Sequence, residues 1–392
     1  MNKINYLGYG LAFALSIGFT GCGGGGDSSS GVTTATTATT DGNFKDANVI
    51  GLEYKSGSEN GLTGTNGSYT CENGKDITFS LGNVILGTVT CNQLITPVEL
   101  VTSGSVDNQT VVNLVKFLTM IDNDGDTSNG ITITQEVRTL AKNWTNIDFT
   151  SVTFNTDTTI TTIVDDINNN INDGIVHSLP TDLDAKNHLT STLMCAYSGA
   201  FSGSFSGDDN GGFGALISPT TGEMLTVGYS QTYQDYFYGW GSLGFSLDNI
   251  RTIQGAVTTG ATFTGKINTV NSVSGTWVNS SYGGTFSGTR IGGAVNAEYR
   301  VVGGYSGGAT GLFAFDIDSS NNITGIAYNP YEDKTYSISG SINGNVMTAT
   351  SSDGATITAD FDKTTGVVSN TLWTNENYGI SGTFVGSGCK LN

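Results

Sequence analysis

The 392-residue chain carries 15 Lys and Arg against 34 Asp and Glu, a formal charge of −19. That balance repels phosphate backbones and anionic headgroups, so nucleic acid and anionic lipid surfaces are poor partners. Beyond the first 21 residues, no stretch has the roughly 18 continuous apolar residues that a membrane helix needs.

Residues 1–21 hold one early basic residue, Lys3, and then an apolar run ending in small residues, the layout of a secretory signal. The "FTGC" at Phe19 to Cys22 resembles the bacterial lipobox, with Phe19 where Leu is usual. The resemblance implies that Cys22 takes lipid and becomes the mature N-terminus, a membrane anchor. Gly23 stands where inner-membrane retention uses aspartate, which points to the outer membrane, on its periplasmic or cell-surface side. A secretory signal followed by an incidental cysteine is the alternative. Residues 22–45 are rich in Gly, Ser and Thr and are expected to form a flexible tether.

Residues 46–105 alternate short strands with turn signals such as "ENG", "TNG" and "LGN", and Ile77, Phe79 and Leu81 share one face of a period-two run. This pattern predicts a small antiparallel β-sandwich. Residues 106–195 read as a helical connector. Val111, Leu114, Val115, Leu118 and Ile121 recur at helical spacing over about 108–121, "TQEVRTLAKNW" predicts a second helix, and "TDLDAKNHLTSTLMC", started by Pro180 and Thr181, a third. "TTITTIVDDINNNIND" reads as either helix or strand, because its β-branched residues oppose the helix.

Between the first two helices lies "DNDGDTSNG", residues 122–130. Asp122, Asp124, Asp126 and Asn129 offer the hard oxygen ligands that calcium takes. Thr127 stands where an EF-hand loop has glycine and Ile133 where it has the bidentate glutamate, so Glu136 or a carbonyl would have to complete a different cage. An acidic turn without an ion is the alternative. The stretch "GLEYKSGSENGLTGTNGSYTCENGKDITFSLGNVILG", followed by a helix and this loop, resembles the opening region of bacterial surface lipoproteins that carry a carboxypeptidase-regulatory, transthyretin-like sandwich. The resemblance spans about 48–133 and implies a spacer or binding module, with no catalytic residues.

With Cys22 set aside, Cys71, Cys91, Cys195 and Cys389 remain, an even number that suggests two disulfides in an exported protein. Of three connectivities, the favoured one joins Cys71 to Cys91, close together in one small domain, and Cys195 to Cys389, which bracket the C-terminal region. Reduced, buried thiols are the alternative.

The rest of the chain is a duplication. Phe205, Gly207, Gly211, Phe213 and Ile217 recur, 100 residues on, as Tyr305, Gly307, Gly311, Phe313 and Ile317, and "GTFSG" at 284–288 recurs as "GTFVG" at 382–386. Residues 196–291 and 300–389 are therefore two copies of one unit. Turn signals in the second copy divide it into eight strands with hairpin-sized connections. An eight-stranded antiparallel meander removes its edges by closing into a barrel; a two-layer sandwich or one shared sheet is the alternative. The whole chain thus reads as mainly β, with an N-terminal sandwich, a small helical connector and two tandem barrel-like meanders.

Alternation puts Tyr282, Gly284, Phe286 and Gly288 on one side of the last strand of the first copy. An eight-stranded barrel is just wide enough for side chains, so glycine is expected to make room for inward rings, and a lumen filled by them argues against ligand carriage. The opposite, Ser- and Thr-rich face excludes a membrane barrel. In "YQDYFYGWGSLGF" Tyr236, Tyr238 and Trp240 share one side and Phe237 and Gly239 the other. Both sides cannot be core. The second copy or the helices are expected to cover the outer row; the alternative is an exposed platform for a glycan or an envelope protein.

Catalytic patterns are absent. The two histidines, His177 and His188, lack a nucleophile motif, and no Cys or His cluster has zinc spacing. Asp235, Glu223, Glu332 and Asp333 are carboxylates without a marked partner, so a hydrolase with paired acids is only an alternative. The expected role is a lipid-anchored, non-enzymatic binding or structural module of the cell envelope, with calcium the one cofactor suggested.

Overall fold

The computed structural model describes residues 38–245, 251–269, 271–291, 297–329, 332 and 334–391. Cys22, the signal and most of the tether lie outside them. Eight strands open the described chain: β1 (Thr39–Phe44), β2 (Val49–Ile50), β3 (Glu53–Ser56), β4 (Glu59–Leu62), β5 (Ser68–Glu72), β6 (Asp76–Leu81), β7 (Val84–Thr90) and β8 (Leu94–Ile95). Residues 39–44, expected to belong to the tether, instead form β1, because Phe44 finds a buried site 4.6 Å from the ring of Phe79. Two sheets result, β5-β1-β8 and β4-β3-β6-β7. They face each other through Phe44, Tyr69 and Phe79, so the expected sandwich is present. It is not wholly antiparallel, since β1 runs parallel to β8.

Next come α1 (Gln109–Met120), β9 (Ile131–Thr132), α2 (Gln135–Ala141), α3 (Thr158–Asn170) and α4 (Asp182–Tyr197). The ambiguous stretch is helix α3. Asp157 caps it by accepting the Thr159 N–H, and Ile160, Ile163 and Ile167 form one buried stripe, so packing outweighs the β-branched preference. The inner faces of α1, α2 and α3 join the sandwich core, with Phe117 edge-on to Phe149 at 5.6 Å. Sandwich and connector therefore share one apolar interior.

Both C-terminal copies are closed barrels. The first is β10 (Gly199–Gly207), β11 (Gly211–Ile217), β12 (Glu223–Ser230), β13 (Asp235–Gly244), β14 (Thr252–Val257), β15 (Thr262–Thr269), β16 (Ser272–Asn279) and β17 (Tyr282–Ile291). The second is β18 (Ala297–Gly307), β19 (Gly311–Asp318), β20 (Asn322–Asn329), β21 (Lys334–Asn343), β22 (Val346–Ser351), β23 (Thr356–Phe361), β24 (Val368–Asn375) and β25 (Ile380–Lys390). Each is a meander in which the last strand pairs with the first.

Inward rings lie over glycines. A methyl at Gly275 would sit 2.5 Å from the ring of Phe286, and one at Gly303 would sit 2.6 Å from that of Phe313. Rings meet edge to face, Phe213 with Phe286 at 5.9 Å and Phe313 with Phe384 at 5.5 Å. One device occurs twice: Trp277 Nε1 donates to Ser206 O over Gly284 (3.3 Å), and Trp373 Nε1 donates to Ser306 O over Gly382 (3.2 Å).

Helix α4 leads into β10 and stoppers that end of the first barrel. Its Leu189, Leu193 and Tyr197 pack with Phe201, Phe245 and Ile253. The disulfide Cys195–Cys389 ties its last turn to β25, and Cys71–Cys91 joins β5 to the segment after β7, as expected. The barrels meet through Ala200, Leu216 and Ile291 on one side and Val302 and Ala314 on the other.

Candidate functional site

Pairing with β12 fixes the orientation of the aromatic row on β13. Tyr236 stands opposite Tyr229, Tyr238 opposite Val227 and Trp240 opposite Leu225. Phe237 points inward, edge-on to Phe205 at 5.5 Å. Tyr236, Tyr238 and Trp240 are exposed by 36%, 42% and 61%, so the row is not buried. The barrels touch mainly through β10 and β11 against β18 and β19, with Tyr328 of β20 beside Gly214 of β11, so the contact does not bury the row on β13. At the strand rise, alternate rings are spaced about 7 Å apart along a flat face.

The second barrel is an internal control. Glu223 pairs with Ser242 in the first, and Asn322 pairs with Ser341 in the second, so these strands correspond at an offset of 99 (322 − 223 and 341 − 242). Tyr236, Tyr238 and Trp240 thus correspond to Thr335, Ser337 and Ser339. The second barrel closes without outward rings there, so closure does not require them.

The lumens are only partly filled, which corrects the expectation from ring volume. Tyr197, Phe201 and Phe245 fill the α4 end of the first barrel. The other end opens into a cavity of about 580 Å³ lined by Phe205, Phe237, Phe263, Trp277 and Phe286. The second barrel has a cavity of about 620 Å³, closed at its own base by Tyr299 against Phe361. Ser230, Thr259 and Ala261, which line the cavity of the first, are too small to fill it.

The acidic loop is held by its own hydrogen bonds. Asp124 accepts from the Asp126 N–H and from Asn129 Nδ2, both at 2.9 Å, and Asp126 accepts from the Ser128 N–H. Asp122 Oδ1 accepts from the Thr132 N–H at 2.8 Å, while its Oδ2 is buried without a hydrogen-bond partner. Burial pushes the Asp122 carboxyl up to about 6. His188 lies beside this loop, Nδ1 3.3 Å from Thr127 Oγ1 and Nε2 3.2 Å from the fully buried Asp46. Burial is the largest single influence and disfavours the His188 cation, but the charge and hydrogen bonding of Asp46, with the charge of Asp122, together outweigh it and raise the pKa. Sequence reading missed Asp46, which the fold brings to His188 from across the N-terminal region. Among the described residues, no group of three or more His, Cys, Asp or Glu side chains is set to hold a metal ion.

His177 fastens the segment before α4 to α1, with Nδ1 2.7 Å from Met120 O and Nε2 2.9 Å from Asp173. Of the scattered carboxylates, Asp235 and Glu332 lie at the mouths of different barrels, Glu223 begins β12 at the stoppered end, and Asp333 lies outside the described residues.

No family model and no curated protein matches the chain. Among solved structures, a single-substitution mutant of Transferrin Binding Protein B, a vaccine antigen from Haemophilus parasuis Hp5, aligns over 45% of this chain and 52% of its own at 11% identity, with a TM-score of 0.18. A double mutant of the same protein aligns over 46% and 54% at 12% identity, with a TM-score of 0.17. The chain thus spans about half the length of these structures, and at such scores the likeness carries no argument, so the twin-barrel architecture rests on its own strand pairing.

Proposed function

We propose that this chain is a lipid-anchored, non-enzymatic binding protein of the cell envelope, and that the outward face of β13 holds an uncharged glycan chain. One observation carries the reading: three aromatic residues are exposed on the first barrel where the duplicate barrel has Thr335, Ser337 and Ser339. Exposed aromatic area of this kind costs solubility, and Tyr and Trp tips suit sugar rings, which present an apolar face and a polar edge. The charge of −19 favours a neutral glycan over an acidic one. The anchor through Cys22 belongs to this proposal and supplies the display.

The test transplants the second barrel's residues into the first, as Tyr236→Thr, Tyr238→Ser and Trp240→Ser together. Glycan arrays and calorimetry should show binding to neutral oligosaccharides by the natural chain and its loss by at least two orders of magnitude in the variant, whose melting stays close to the parent's. A blank array for the natural chain rejects the glycan; capture of an envelope protein lost in the same variant would move the face to that partner.

A further inference from the structure

We propose that the open lumen of the first barrel is a second binding site, bordering the outward row only at Tyr236, and that it takes a small organic cation with an apolar tail, such as an alkylammonium. The cavity, about 580 Å³, is the size of a small-molecule pocket and is blind at the α4 end. Its wall is aromatic. Phe205 is edge-on to both Phe237 (5.5 Å) and Trp277 (6.3 Å), and Phe263 and Phe286 lie deeper. Ring faces attract cations, most strongly where water is excluded.

Charge at the mouth has one sign. Asp208 and Asp209, from the hairpin between β10 and β11, meet Asp235 at the start of β13, and no Lys, Arg or His lines the cavity. They accept hydrogen bonds from neutral donors: the Gly283 N–H to Asp208, the Ser230 hydroxyl and Asn210 N–H to Asp209, and the Tyr236 N–H to Asp235. Three carboxylates above a low-dielectric cup focus a negative potential into it.

The duplicate barrel lacks this arrangement. At an offset of 100 (305 − 205, from the Phe205–Gly211 and Tyr305–Gly311 pairs) Gly308 and Ala309 replace Asp208 and Asp209. At the offset of 99, Lys334 replaces Asp235 and lies 3.5 Å from Glu332. A cavity of similar size is thus kept in both barrels; among the described residues, three carboxylates and no cation line the first, whereas Glu332 and Asp353 line the second together with Lys334.

The experiment uses the full chain with hexyltrimethylammonium, hexanol and hexanoate as probes, followed by calorimetry. The cation should bind at least tenfold more tightly than either analogue. Changing Asp208, Asp209 and Asp235 together to Asn keeps an acceptor oxygen for each hairpin bond and should weaken the cation at least tenfold, with melting unchanged. Asp235→Lys alone, the second barrel's residue, should do the same. Equal binding of all three probes, no binding of the cation, or an undiminished affinity in the Asn variant overturns the proposal. None of these residues belongs to the outward row, so failure here leaves the glycan reading standing.

Discussion

Adjacent glycines in β18 allow a test of why the barrels are glycine-rich. Gly303 faces the lumen and Gly304 faces out, and neither has a left-handed φ, so alanine is conformationally acceptable at both. A methyl at Gly303 would overlap Val385 O across the β18–β25 ladder and stand 2.6 Å from Phe313 Cζ. Either the ladder spreads or Phe313 abandons its edge-to-face contacts with Phe384. Overpacking costs about 1–3 kcal/mol and a lost aromatic pair about 0.5–1.5, so Gly303→Ala is expected to destabilise by about 2–4 kcal/mol. At Gly304 the nearest atom is Gly311 O at 3.5 Å, ordinary contact. Gly304→Ala is therefore neutral, or stabilising by up to about 1 kcal/mol through lost chain entropy in the unfolded state. Equilibrium urea unfolding, followed by far-UV circular dichroism and tryptophan fluorescence, measures both. If the two variants unfold within about 0.5 kcal/mol of each other, a margin typical of surface substitutions, glycine is not there to make room for rings.

Two further outcomes are expected. Burial and the nearby Arg300 charge hold the Lys45 ammonium down to about 7. The unfolded chain therefore binds the extra proton between about pH 7 and its ordinary value near 10.5, and stability rises with pH across that window. Urea unfolding at pH 6.5 and 9.5 should show this gain in the natural chain and not in Lys45→Met; parallel behaviour refutes it. Calcium at residues 122–130 is proposed with Asp122 Oδ2, the buried oxygen that lacks a partner, as its inward ligand. Millimolar calcium should then raise the melting temperature, a chelator should reverse this, and Asp122→Asn should abolish the difference; identical melting with and without calcium removes the ion.

What the sequence determines by itself is local. Hairpin strands neighbour each other in the chain, so turn residues such as "NGN" and "SDG" mark where each strand ends, and the eight strands expected in the second copy are the eight observed, β18 to β25. Period-two alternation likewise shows that Phe286 and Gly288 share a face, and cysteine positions suggest the two pairings found. Alternation cannot tell whether the other face meets solvent, because that depends on which strands of the two barrels touch. Tertiary structure alone left Tyr236, Tyr238 and Trp240 exposed, set Asp46 against His188, and gathered Asp208, Asp209 and Asp235 at one mouth. It also decided how deeply the rings fill each lumen. Ring volume sets how much space is needed, but closure of the sheet and the stopper from α4 set where that space lies.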